Sequence, residues 1–239
     1  MQISSNTLSK ECKKRGFVRC GKSYIRVVGD GVFQRVLLGF KERLHSSSPR
    51  YSRTHRYEPM TLIYLKSMYA RYDGFDVSID QSPGFPLNVP MLLDKRMAPF
   101  MGATEDQERM LNEGFDLLDL ITTQQQIIEH LEPLTYSYSD GRQIYSTQLY
   151  DMYLYCEEFY KAEMAIEREF TQNFFSHISK CKRNPELFSE GMQQFLDHAE
   201  LYYEKALLTY PVHYDAMKAR LQSNYEINFI RLKELGILD

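Results

Sequence analysis

The chain has no tryptophan, four cysteines and no long apolar run, and each shortage removes a class of protein. Cys12, Cys20, Cys156 and Cys181 include no CxxC pair, which points to reduced thiols in a cytosol and away from a disulfide framework. The opening MQISSNTLSKECKKRGF has no signal-peptide core, and no window approaches the roughly 18 consecutive apolar residues of a membrane span. A soluble, cytoplasmic chain that engages no membrane is expected. Catalytic signatures are missing as well. There is no GxSxG, P-loop or GxGxxG, and the histidines at 45, 55, 130, 177, 198 and 213 form no HxxxH or HxH. The paired carboxylates Glu157-Glu158 and those at Glu163, Glu167 and Glu169 fit the solvated side of a helix better than an acid/base pair. No catalytic residue, metal ligand or cofactor is expected, and an enzyme is the lesser reading.

What is present is a globular composition. With 43% hydrophobic residues the chain can build a sizeable core, and 18 Tyr and 14 Phe stand in for the absent Trp. Charge is unevenly placed. Residues 1–96 hold 17 Lys+Arg against 8 Asp+Glu, a net +9, while residues 97–239 hold 12 against 24, a net −12. Such halves either attract each other or face different partners, and mutual docking is the plainer reading.

The pattern of the first half is α+β. A helix is expected over about 6–15, with Leu8 and Cys12 on its apolar side and Gly16 just past its end. Tyr24 to Val28 and Val32 to Phe40 are rich in β-branched and aromatic residues, and Gly29-Asp30-Gly31 between them supplies the positive φ of a tight turn. A third strand is expected in MTLIYLKSMYARY and a short fourth in GFDVSID, all antiparallel because the connections are too short for crossovers. Four prolines and two glycines make 82–103 an irregular connection laid on the sheet.

From Thr104 onward the period becomes helical. Thr104 with Gln107 and Thr123 with Gln126 read as capping boxes of helices over about 105–120 and 124–132, and Asp140-Gly141 marks a loop. Three longer helices are then expected. The first carries Leu149, Met152, Cys156, Phe159, Ile166, Phe170, Phe174 and Ile178 on one side; the second Phe188, Met192, Phe195, Ala199, Tyr202 and Ala206; the third Tyr214, Met217, Leu221, Tyr225, Phe229 and Leu232. Asn184-Pro185 suits the start of the second, Pro211 separates the last two, and Gly236 ends the chain's final helix. The fold class expected is α+β: an N-terminal helix and small antiparallel sheet in a domain over 1–132, then an antiparallel helical domain over 145–239.

The order of features in residues 1–132 resembles the bacterial family called domain of unknown function 4304. Gly16-Phe17 and Gly21 follow the first helix, Tyr24 and Arg26 lie on a strand, Gln34 stands near the start of the next, and LLDLITTQQQIIEHL closes the region. The long insert from His45 to Pro59 and the helical half are departures. The resemblance implies a compact α+β fold in a bacterial cytoplasm, with no catalytic residues to carry over, and by analogy an immunity-like or regulatory partner protein. Separately, AELYYEKALLTYPVHYDAMKARL looks like the junction of two tetratricopeptide helices, but no repeat recurs and a single helix hairpin is expected.

The site-like feature is the basic run after the hairpin. Lys41, Arg43, Arg50, Tyr51, Arg53, His55 and Arg56 combine guanidinium groups, which bond phosphate oxygens, with a ring that can stack on a base. A solvated charged loop is the plain reading, a protein-binding or docking surface the next, and nucleic acid or a phosphorylated ligand the third, since net acidity opposes it. The expected function is a non-catalytic interaction protein with a protein partner, nucleic acid being the alternative, and the oligomeric state is left open.

Overall fold

The computed structural model describes residues 5–45, 54–70, 87–88, 92–93, 103–134, 149–184, 186 and 188–239, with the backbone alone at 5, 39–45, 54–60, 87–88, 103–104, 134, 173, 181, 188–189, 191, 194 and 198. It is α+β, as the patterns require. The elements are α1 (Ser5–Lys14), β1 (Val18–Cys20), β2 (Ser23–Val28), β3 (Val32–His45), β4 (Thr54–Ser67), β5 (Leu87–Asn88), α2 (Ala103–Arg109), a π-helical turn (Met110–Gly114), α3 (Phe115–Leu120), α4 (Gln124–Leu131), α5 (Tyr150–Tyr155), α6 (Phe159–Arg183), α7 (Phe188–Leu207) and α8 (Tyr214–Glu234). Among the described residues no helix is long and apolar enough to cross a membrane.

The chain divides into two compact units. The first comprises Met1–Met68, Tyr72–Leu134 and Ile227–Asp239, the second Tyr69–Arg71 with Thr135–Glu226. The first is built on an antiparallel sheet in the order β1-β2-β3-β4-β5. Its register starts from the Gly29-Asp30-Gly31 turn, where Val28 pairs with Val32 and both glycines have positive φ. Gly29 is also required by close approach, because a Cβ there would lie 1.8 Å from the Thr122 carbonyl oxygen. Ser9 Oγ accepts a 2.7 Å bond from Tyr24, and Gln34 bonds the carbonyls at the end of α3, so α1 and α3 lie on the same side of the sheet. The other side, carrying Ser23, Ile25, Arg35, Leu37, Tyr64 and Lys66, is equally buried.

Helix ends follow their local chemistry. At α1 the Phe17 N–H bonds Cys12 O and the Gly16 N–H bonds Lys13 O, closing the helix with glycine in the left-handed region; Ile237, Gly236, Leu232 and Lys233 repeat this at α8. Thr123 and Gln126 form the expected capping box of α4.

Several expectations are corrected. The helix expected to run unbroken from Leu149 is split at Cys156–Glu158. The Glu158 N–H bonds Tyr153 O and the Glu157 N–H bonds Leu154 O, the same closing motif made without glycine, with Glu157 at φ 59°. The helix over 105–120 contains the π-helical turn, where a Cβ on Gly114 would meet Met110 Sδ at 2.7 Å. Asn184 closes α6, its N–H bonding Lys180 O, and α7 starts only at Phe188. β3 and β4 run on to His45 and from Thr54, well past the expected ends at Phe40 and Met60. Pro59 signals a break in the sequence, yet β4 is paired on its other edge only at Leu62 and Ile63 among the described residues, so a missing N–H is tolerated there. GFDVSID, most of 82–103 and the loop at Asp140-Gly141 lie outside the described residues.

Candidate functional site

The basic segment is largely a strand pair. Lys41 and Arg43 are on β3, His55 and Arg56 on β4, and the ladder sets Lys41 opposite Glu58, Arg43 opposite Arg56 and Leu44 opposite His55. Arg50, Tyr51 and Arg53 lie outside the described residues.

The residues with the richest polar geometry are elsewhere in the first unit. Arg26 donates to Gln34 Oε1 at 2.8 Å, to the Arg15 carbonyl at 2.9 Å and to Asp119 Oδ1 at 2.6 Å, while its guanidinium covers the Phe17 ring at 4.4 Å. Arg15 reaches Glu11 at 3.1 Å and Asp116 at 3.0 Å, and it also bonds Asp119. Gln34, fully buried, passes the network inward by donating to Leu118 O at 2.7 Å and Ile121 O at 2.9 Å. The Arg15, Arg26 and Gln34 side chains all meet partners within the fold, so the network ties α1, β2, β3 and α3 together. Beneath it burial pushes the Cys12 thiol up to about 12, with Arg26 opposing and Glu11 adding, which makes it an inert apolar side chain.

Three other ionisable side chains, Arg35, Lys66 and Asp106, are buried in this unit. Arg35 donates to Ser23 Oγ at 2.7 Å and lies over the Tyr64 ring at 5.1 Å. Burial, and then the Arg35 charge, lower Lys66 to about 8. On α2 the Asp106 carboxyl is buried with neither oxygen hydrogen-bonded, and burial raises it to about 6; Glu105 adds to this, whereas the nearby Thr61 N–H and Arg109 oppose it. Among the described residues no three His, Cys, Asp or Glu side chains gather as metal ligands.

In the second unit the noteworthy surface is apolar. The α6–α7 seam is aromatic: Phe170 contacts Phe195 and Tyr202, each at 5.5 Å between centroids, Phe174 contacts Phe195 at 5.2 Å, and His177 contacts Phe195 at 6.3 Å. One position after each seam residue come Thr171, Phe175 and Ile178 on α6 and Leu196 and Tyr203 on α7. A single residue turns an α-helix by about 100°. Because the two helices are antiparallel and face each other, the same forward step on both turns to the same side of the pair. Phe175, Leu196 and Tyr203 are 64%, 54% and 66% exposed there. The expected stripes identify the seam and take in Ile178, but pass over Phe175, Leu196 and Tyr203, although their 3–4 spacing was readable in the sequence.

No family model, curated protein or solved structure matches the chain.

Proposed function

We propose that this chain is a non-catalytic interaction protein that engages a protein partner through the open side of α6 and α7. The observation that carries the reading is the row of Phe175, Leu196 and Tyr203 exposed on one side of a helix pair. Monomeric surfaces scatter large apolar side chains singly, and three of them on one side of two helices supply the anchors of a helix-packing contact. The N-terminal resemblance adds a bacterial setting and an immunity-like or regulatory role. Native mass spectrometry of the tagged chain recovered from a bacterial lysate tests this. Wild type should carry a stoichiometric second chain above its own 28.3 kDa, and Phe175→Glu with Leu196→Glu should lose it. An uncomplexed wild-type chain, or turnover in a broad hydrolase and transferase screen abolished by a single His→Ala change, overturns the reading.

A second reading, a nucleic-acid- or phosphate-binding protein, is favoured by the direct opposition of Arg43 and Arg56. In that case log affinity falls with log salt, and replacing Arg50, Arg53 and Arg56 together flattens the slope by roughly 2–3 units in filter binding. Binding that ignores salt contradicts it.

A further inference from the structure

We propose that α2 is a pH-released flap, docked on β4 while Asp106 carries its proton and let go into water, about the π-helical turn, once that proton leaves. The geometry separates α2 from the helix that follows it. α3 is anchored by Phe115 and Leu118, both fully buried, and by the Leu118 carbonyl that accepts from Gln34 at 2.7 Å. Of the α2 side chains at 105–109, Asp106 alone is buried, so this helix turns an acid inward where α3 turns apolar groups. Among the described residues neither Asp106 carboxyl oxygen has a hydrogen-bond partner, and the buried Thr61 hydroxyl of β4 has none either. A neutral carboxyl tolerates such surroundings at modest cost, whereas a carboxylate there costs far more.

The surrounding charges do little to hold an ionised Asp106 in place. On α2 itself Glu105 repels a carboxylate and Arg109 attracts one, but Arg109 also lies 4.0 Å from Glu113 of the π-helical turn. β4 offers the Thr61 N–H, and the charged side chain of its 61–67 stretch, Lys66, stands on the opposite side of the sheet by strand alternation. Seven residues make no stable helix by themselves, so α2 keeps its place by docking. The π-helical turn Met110–Gly114 carries one residue more than an α-helical turn needs, and it absorbs the movement while α3 stays on the sheet. Burial raises the docked carboxyl to about 6, against 3.8 for a free aspartate. The released form therefore gains on the docked form about tenfold per pH unit between those values, about a hundredfold in all, and keeps that gain at neutral pH.

The test is amide hydrogen exchange of the purified full chain, followed by mass spectrometry from about pH 4 to about pH 8 and corrected for the intrinsic pH dependence of exchange. Protection across 105–114 should fall about a hundredfold up to about pH 6 and then level off, and at about pH 7 these amides should exchange well ahead of those in β2 and β3. Asp106→Asn should remove the pH dependence. Asp106→Leu gives α2 the apolar anchor it lacks and should raise protection across 105–114 by about tenfold or more at about pH 7; it carries the test where a buried amide disturbs the fold. Protection across 105–114 equal to that of β2 and β3 at about pH 7 means that α2 leaves only when the whole unit unfolds, and overturns the flap. Protection that ignores pH, or a fall with pH that survives both substitutions, overturns it as well.

Discussion

Between Gln34 and Lys66 the sheet buries a glutamine, an arginine and a lysine at 0%, 3% and 4% exposure, whereas between Phe170 and Tyr203 the helix pair leaves a phenylalanine, a leucine and a tyrosine in water. The two units place polarity in opposite ways. In the sheet unit, Gln34 satisfies two carbonyls and Arg26 is anchored on four sides, so buried polar groups fix which helix lies on which strand. In the helix pair, the aromatic seam holds the two helices together and a second apolar row is left over. The contrast separates internal specificity from capacity to associate.

Substitutions can break each side of that contrast, beginning with the tightest contact. Gly29→Ala adds a Cβ into the Thr122 carbonyl at a positive-φ position, and thermal denaturation should show a loss of about 3–4 kcal/mol. A loss under 1 kcal/mol would mean that the turn and the α3–α4 junction are not packed this closely.

The next effect is pH dependence. The folded-state carboxyl of Asp106 titrates near 6, above the unfolded value, so the native chain holds a proton that the unfolded chain has released. Stability should therefore fall as pH rises from about 4 to about 6, by about 3 kcal/mol in total, and Asp106→Asn should flatten that limb. Lys66 acts at the other end. Its folded value is lowered to about 8, so the unfolded chain binds the extra proton above that, and stability should rise between about pH 8 and pH 10.5. Urea titrations across pH should show both limbs; a flat wild-type profile would contradict the burial of these charges.

Gln34→Leu keeps the volume and removes the donor to Leu118 O and Ile121 O, at a cost of about 2 kcal/mol. The smallest change goes the other way. Glu157→Gly relieves a left-handed residue at the end of α5 and gives up the 2.5 Å bond from Tyr214, for a net gain of about 0.5–1 kcal/mol in thermal denaturation. A loss of stability would show that the Tyr214 contact outweighs the strain.

Legibility in the sequence tracked how local the cause was. The Gly16 and Gly236 caps, the Thr123 capping box and the Gly29 turn are written in a few adjacent residues, and the stripe through Met217, Leu221 and Leu232 is written in a 3–4 period, so all were readable. β1 was missed because Val18-Arg19-Cys20 is too short to show alternation. The break at Glu157 was missed because glutamate carries no signal for the left-handed region. Asn224 and Asn228 read as polar interruptions of α8, and only the structure shows their amides donating to Tyr69 O and Met68 O. Gly16-Phe17, Arg26, Gln34 and the LLDLITT segment could be quoted together from the sequence, but their convergence on one network is a tertiary fact. Of the seven candidate site residues, the sequence marked the charges and could not tell that Arg43 and Arg56 face each other across a ladder.

Amide hydrogen exchange, compared between the chain alone and the complex recovered from the lysate, tests most directly whether the exposed side of α6 and α7 is the association surface. The account predicts that the complex slows exchange in 171–178 and in 192–203, and leaves the β2–β3 sheet and its Arg26 network unchanged. Equal exchange in both, or slowing confined to the sheet unit, would contradict it.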